Sequence, residues 1–113
     1  MTAYKRGDVV LVSFIFADES GVKKRPAVII SSNHYNLSRR EVIVAAITSN
    51  IQRLLAGDYL IASWQKAGLL LPSVATGVVR TIQENIIERK LGIMPPSDMS
   101  EVDNHLRSIL ALG

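Results

Sequence analysis

Five short apolar runs, rich in β-branched residues, recur along this chain with polar turn residues between them. They cover residues 9–16, 27–31, 42–48, 59–62 and 77–82. β-Branched residues favour strands, and short strands at this spacing are typical of a compact β-barrel or β-sandwich. We therefore predict a mainly β fold. A length of 113 residues suits a single domain, residues 1–113, better than two.

Two segments favour helix over strand. Residues 100–112 read SEVDNHLRSILAL, in which Ser100 can cap the N-terminus and apolar side chains recur on one helical face. A short helical turn is predicted after Ser63, ending at Gly68. Residues 33–36, Asn-His-Tyr-Asn, are predicted to form a turn between strands. The expected fold class is therefore α+β, with a short helix and a C-terminal helix.

Composition limits the possible classes of protein. Hydrophobic residues make up 48% of the chain and charged residues 20%, a globular composition. The chain has no cysteine, which excludes disulfides and thiolate metal sites and fits a reducing cytoplasm. No segment approaches the roughly 20 apolar residues of a membrane helix. The sequence contains no cluster of carboxylates of the kind that binds paired magnesium ions. We therefore expect neither a metal nor another cofactor.

Positive charge is concentrated in one third of the chain. The net charge is +3, which mildly favours polyanionic partners. Between residues 20 and 53, Glu41 is the single acidic residue. The cations of the same stretch are Lys23, Lys24, Arg25, Arg39, Arg40 and Arg53.

The stretch SGVKKRPAVIIS contains the cation whose position is most constrained. Pro26 has no N–H group, so it fits the first residue or the edge of a strand. It also holds Arg25 in an extended conformation. We therefore expect Arg25 at the entrance of the second strand.

Antiparallel pairing of residues 27–31 with 42–48 would bring the start of the first strand to the end of the second. Arg25 would then lie near Thr48 and Ser49, since opposed residues have Cβ atoms roughly 4.5–5.5 Å apart. A guanidinium fork and a hydroxyl donor can together bind a phosphodiester. The alternative is an ordinary solvated turn beside a structural threonine.

Several motifs, in order along nearly the whole chain, resemble the MazF/PemK family of toxins from bacterial toxin–antitoxin pairs. They are KRGDVVLVSF, KKRPAVIIS, VIVAAITSN, AGLLLPSV, RTI and IIERKLG, followed by the terminal helix. The resemblance implies a small SH3-like β-barrel with a C-terminal helix, acting as a homodimer. It also implies a cytoplasmic endoribonuclease that cuts single-stranded RNA without a metal and is neutralised by a cognate antitoxin.

The family's catalytic arginine and threonine correspond to Arg25 and Thr48. The resemblance also offers Arg80 as a further site residue, with an arginine on the barrel surface as the alternative. The implied products are a 2′,3′-cyclic phosphate and a 5′-hydroxyl. In this chemistry Arg25 would stabilise the charge that develops on the phosphate, and Thr48 would hold a non-bridging oxygen. His34 is one candidate base, with a solvent-facing loop histidine as the alternative. The residues expected to contact RNA are Lys23, Lys24, Ser49 and Arg80.

Two other functions stay open at this point. A non-enzymatic toxin of the gyrase-inhibitor type has the same fold, so fold alone does not distinguish it. An RNA-binding barrel without cleavage activity is the second alternative, because the first loop, in ADESGVKKRP, is shorter than in many relatives. Asp18 and Glu19 of this loop would repel phosphate if they faced it.

Overall fold

A computed structural model describes residues 4–16 and 21–113, so the first-loop residues 17–20, with Asp18 and Glu19, lie outside the described part. A six-stranded antiparallel sheet, in the order β4-β5-β3-β2-β1-β6, carries two α-helices. The strands are β1 (Asp8–Phe16), β2 (Gly21–Ile29), β3 (Glu41–Thr48), β4 (Tyr59–Leu60), β5 (Val74–Gln83) and β6 (Ile87–Ile93). The helices are α1 (Asn33–Arg39) and α2 (Pro96–Ile109), and a 3-10 turn, Glu84–Ile86, joins β5 to β6.

Strand β2 begins earlier than predicted, because its ladder with β1 runs back to the pair Phe16–Gly21. The prediction that Arg25 stands at the entrance of the strand is therefore wrong. Arg25 lies in the middle of β2, opposite Val12. Charged side chains are tolerated there because this part of β2 is an edge, and lysines commonly protect edges from unwanted pairing.

The ladder between β2 and β3 is antiparallel, as predicted, and runs from Ile29–Val44 to Ala27–Ala46. Pro26 is the β2 residue next to Ala27, on the side where this ladder stops and β2 becomes an edge strand. A proline is accommodated there because no backbone N–H is required. Continued by two residues, the same register would set Arg25 opposite Thr48.

Side chains alternate between the two faces of each strand, and both faces of the sheet carry a buried apolar cluster. On one face, α2 and the segment after β4 pack on the sheet. This cluster comprises Val9, Val28, Ala45, Ile47, Ile61, Ala67, Leu69, Ala75, Met94, Met99, Val102 and Leu106. The opposite face is filled by Val10, Val12, Phe14, Ala27, Ile29, Val42, Val44, Ile82 and Ile87.

The predicted short turn that ends at Gly68 is present: residues 62–68 form a run of turns, and the Ala67 N–H donates to the Ser63 carbonyl at 3.1 Å. The regular short helix is α1 instead, and it includes the turn predicted at 33–36.

The side chain of Ser32 caps α1 by accepting a hydrogen bond from the Tyr35 N–H at 3.1 Å. Asn36 is buried, accepts a hydrogen bond from the Ser31 hydroxyl and donates to the Tyr4 carbonyl at 3.5 Å, so its burial and its partners override the turn preference of asparagine.

Helix α2 begins at Pro96 rather than at Ser100, because its first turn is fixed from outside the helix. Proline suits a first helical turn. The carboxylate of Asp98 is only 1% exposed. It accepts hydrogen bonds from the Tyr59 hydroxyl at 2.5 Å and from the N–H groups of Ala62 at 2.9 Å and Ser63 at 3.1 Å.

The segment that follows β4 bridges the two edges of the sheet. Gly68 has a φ of +87°, and a Cβ atom at this position would clash with the carbonyl oxygen of Leu91 in β6. Gly92 makes the reciprocal approach to Ala67. These contacts roll the sheet toward a barrel. Within the described ranges, no helix is both long and apolar enough to cross a membrane.

Replacing Asp98 with alanine should lower the free energy of unfolding by about 2–4 kcal/mol, because it leaves buried donors without a charged acceptor. Urea denaturation of the purified variant measures this loss. Asp103→Ala, on the same helix, removes an ion pair with Arg6 that is partly exposed to solvent, and should cost less than about 1 kcal/mol. Equal losses for the two variants would contradict the role assigned to Asp98.

Tyr59 should make stability fall at alkaline pH. Burial, followed by the hydrogen bond to Asp98, raises the pKa of Tyr59 from 10.0 to about 12. Because the folded-state pKa is the higher one, this contribution is complete below pH 10 and is lost as pH rises toward about 12. The stability difference between the native chain and Tyr59→Phe, measured by urea denaturation, should therefore shrink over that interval. A difference independent of pH would contradict this.

Candidate active site

The middle of β2 and the end of β3 border a cavity of about 860 Å³. Arg25 and Pro26 line it from β2, and Ile47, Thr48 and Ser49 line it from the end of β3. Arg25 is exposed and Thr48 is half-buried. The two predicted catalytic side chains therefore come from separate strands to one solvent-open cavity, here called the first cavity.

The hydroxyl of Thr48 is oriented by the backbone that follows it. Its Oγ1 accepts a hydrogen bond from the N–H group of Asn50 at 3.1 Å. A threonine hydroxyl has one proton to donate besides its acceptor lone pairs. With an acceptor position of Oγ1 occupied by Asn50, the proton is available for an oxygen in the cavity.

Arginines are the only ionisable residues that the described chain contributes to the lining of the first cavity. They are Arg25, Arg80 and Arg89, and no described aspartate or glutamate accompanies them. The guanidinium of Arg80 lies over the ring of Phe14, 5.3 Å from its centroid, which is a cation–π contact. A cationic cavity without carboxylates is suited to a polyanion.

Arg89 was not identified from the sequence. It lies on β6, opposite Leu11 of β1. Its motif, IIERKLG, was noted, but no strand was predicted over residues 87–93. A strand over residues 87–93 places Arg89 and Leu91 on the same face, because side chains alternate along a strand. Both residues line the first cavity.

Three consecutive leucines form the apolar wall of the first cavity. Leu69, Leu70 and Leu71 follow the tight approach of Gly68 to β6. Leu69 is buried, while Leu70 is 92% exposed at the mouth. The cavity therefore offers an apolar surface facing its arginines, an arrangement that suits a ligand with both bases and phosphates.

The predicted RNA-contacting residues divide into two groups. Ser49 and Arg80 line the first cavity, whereas the two lysines are not part of its lining. Lys24 forms an ion pair with Glu88 of β6 at 3.4 Å instead. A hydrogen bond from Ser13, together with Lys24, lowers the pKa of Glu88. Lys23 is exposed and stands opposite Phe14 in the ladder.

Neither histidine reaches the first cavity. His34, the candidate base, is exposed on α1. His105 lies on α2, with its Nδ1 atom 2.7 Å from the carbonyl oxygen of Glu101. Within residues 4–16 and 21–113, no group of three or more His, Cys, Asp or Glu side chains is arranged to hold a metal ion.

Comparison with known proteins shows to which family this chain belongs. The PemK-like, MazF-like toxins of type II toxin–antitoxin systems match residues 5–110. This chain belongs to that family. The MazF-like membership predicted from the sequence motifs is therefore confirmed.

Named relatives cover most of this MazF-like chain. "Endoribonuclease MazF" of Staphylococcus epidermidis is 34% identical over 113 residues, covering 96% of this chain and 92% of the relative. "Endoribonuclease MazF6" of Mycobacterium tuberculosis is 29% identical over 100 residues, covering 80% and 81%.

Solved structures confirm the predicted fold class. A MazE–MazF crystal structure from Deinococcus radiodurans superposes with a TM-score of 0.82 at 18% identity, over 100% of both chains. A mycobacterial endoribonuclease solved with its cognate antitoxin gives a TM-score of 0.78 at 21% identity, over 98% of both chains. The mainly β architecture with a C-terminal helix is thus the MazF-like fold.

The placement of the cations predicts different polyanion binding by Arg89 and Lys24. Arg89→Ala should weaken inorganic polyphosphate binding and flatten its salt dependence, because fewer counterions are released on binding. Lys24→Ala should change both much less, because Lys24 is held by Glu88 away from the cavity. Titration at several salt concentrations compares the two variants, which remove the same charge. Equal effects would contradict the assignment of the cavity as the anion site.

Proposed function

We propose that this MazF-like toxin is an endoribonuclease that cleaves single-stranded RNA without a metal ion. The observation that carries the proposal is that Arg25 and Thr48 line one cavity. Family membership and the endoribonuclease names of its relatives support the same activity. The absence of carboxylates among the described lining residues suits a phosphate substrate.

The cleavage would use the RNA's own 2′-hydroxyl as the nucleophile. The 2′-oxygen loses its proton and forms a bond to phosphorus, while the bond from phosphorus to the 5′-oxygen breaks. The 5′-oxygen takes up a proton, so the products are a 2′,3′-cyclic phosphate and a 5′-hydroxyl. In this scheme the general base is unassigned, since no histidine or carboxylate of the described chain lines the first cavity.

Arg25 and Thr48 would act on the phosphate itself. An arginine stays protonated in proteins and presents several donors in a planar fork. Arg25 therefore suits stabilisation of the developing negative charge and donation toward the leaving oxygen. The Thr48 hydroxyl accepts from the Asn50 N–H group, so its own proton would be donated to a non-bridging oxygen of the phosphate. Such preorganised donors make the largest contribution in many enzymes.

The partners follow from the family. The mycobacterial and Deinococcus neighbours were solved with an antitoxin. We propose that this chain also binds a cognate antitoxin, which covers the basic cavity with an acidic segment. An RNA substrate and an antitoxin partner support a cytoplasmic location. Homodimerisation stays a prediction.

Removal of either side chain should strongly slow cleavage. Arg25→Ala should lower kcat on single-stranded RNA by roughly 10²–10³-fold, the usual consequence of losing a transition-state donor. Thr48→Val, which keeps the shape but removes the hydroxyl, should act in the same direction. Arg25→Lys should recover only part of the rate, because lysine lacks the bidentate fork. Gel analysis of a long transcript measures the rates.

Arg107→Ala is the matched control, because Arg107 lies on α2, is exposed and is bonded to Asn104 outside the cavity. EDTA should leave the wild-type rate unchanged, and the products should carry a cyclic phosphate. The proposal fails if clean wild-type protein leaves several different RNAs intact, or if EDTA abolishes cleavage. Growth arrest that survives Arg25→Ala would favour a gyrase-type toxin.

A further inference from the structure

A second cavity, of about 490 Å³, adjoins the first. The two share part of their lining, namely Thr48, Asn50, Thr76 and Val78. The catalytic candidate Thr48 therefore stands on the boundary between them. An RNA strand whose scissile phosphate lies at Thr48 would have nucleotides on both sides of that boundary.

The boundary is built by a bulge in β5. The register between β3 and β5 shifts by two residues, from Ala45–Val79 to Ile47–Ala75. Thr76 lies within the shifted segment, where its hydroxyl donates to the Ala46 carbonyl at 2.7 Å and accepts from the Val78 N–H at 3.1 Å. Bulges commonly redirect side chains beside active sites.

The loop that forms the other side of the second cavity is held in place by its own side chains. Thr48 accepts from the Asn50 N–H, and Asn50 accepts from the Gln52 N–H at 3.3 Å. The Asp58 Oδ2 atom accepts from the Leu55 N–H at 2.9 Å. Three successive side-chain-to-backbone bonds give the loop a defined shape before any ligand binds, which lowers the entropy lost on binding.

The second cavity differs from the first in its chemistry. Its polar lining includes Asp58 together with Asn50, Gln52 and Arg53. The charges of Arg53 and Asp58 offset each other in this lining, and the carboxylate repels a phosphate at the position of Asp58. The second oxygen of Asp58, Oδ1, accepts no hydrogen bond from the described residues. A carboxylate with a free acceptor is complementary to an amino group.

We propose that the second cavity holds the base of a nucleotide next to the scissile phosphate, with Asp58 accepting a hydrogen bond from the exocyclic amino group of that base. This inference rests on the proposed RNA cleavage and adds a specificity residue to it. Adenine, cytosine and guanine carry such an amino group, whereas uracil does not. The enzyme should therefore disfavour uracil at one position beside the cut.

The test uses short RNAs with one cleavage site and each of the four bases at each position flanking it. Wild type should cleave RNAs with an amino-bearing base at one position about tenfold faster than the uracil RNA, because a hydrogen bond to a charged group is lost with uracil. Asp58→Asn should reduce this preference to within about threefold, mainly by slowing cleavage of the amino-bearing RNAs. Its amide oxygen can still accept from Leu55.

Glu101→Gln is the matched control, since it makes the same chemical change at an exposed site on α2. A substrate change tests the same contact without altering the protein. Replacing the preferred base by its analogue without the amino group, purine for adenine or inosine for guanine, should slow wild type about tenfold. It should have little effect on Asp58→Asn.

The outcomes separate this inference from the proposed function. If wild type cleaves RNA but shows no discrimination against uracil beside the cut, the inference is overturned and the nuclease stands. It is equally overturned if Asp58→Asn slows cleavage of all four bases alike, or if the analogue is cleaved at the normal rate by wild type. If wild type cleaves no RNA, both fall together.

Discussion

Pro26 cannot donate a backbone hydrogen bond, and the ladder between β2 and β3 stops beside it, at Ala27–Ala46. Beyond that pair, the two strands border the first cavity instead of pairing with each other. Arg25 on one strand and Thr48 on the other are therefore presented to solvent by rigid elements. The site depends on this interruption, because catalytic side chains held by strands are positioned more accurately than those on free loops.

The charges are then divided between the two cavities. Among the residues that the structure describes, arginines are the ionisable lining of the first cavity, whereas the second combines Arg53 with the carboxylate of Asp58. Thr48 lies where the cavities meet, with the β5 bulge beside it. This division gives one continuous surface a region suited to phosphates and a neighbouring region suited to a base, which is what an RNA-cleaving site with sequence preference requires.

Sequence reasoning succeeded where the information was local. Alternation and chain order were enough to predict the antiparallel β2–β3 pairing, and Arg25 and Thr48 both line the cavity beside it. The position of Lys24, which adjoins Arg25 in sequence, could not be predicted in the same way, because Glu88, the partner of its ion pair, lies far along the chain on β6. The start of β2 was also missed, since its charged residues are typical of turns.

Other features depend on contacts between distant parts of the chain. Asp98 sets the start of α2 through donors on Tyr59, Ala62 and Ser63, more than 30 residues earlier. Helix α1 contains the buried Asn36, a residue that by itself favours a turn, and Asn36 donates to the carbonyl of Tyr4, 32 residues earlier. No pattern in a single sequence encodes such partners, so these parts of the fold could not be predicted from it.

The central claim is that Arg25 and Thr48 act on the same phosphodiester, and a double-mutant cycle tests it most directly. Single-turnover cleavage rates would be measured for wild type, Arg25→Ala, Thr48→Val and the double variant. Groups that act as a unit are strongly non-additive, so the double variant should be only a few-fold slower than the slower single variant. A rate loss equal to the product of the two single losses would show independent action and would contradict the account.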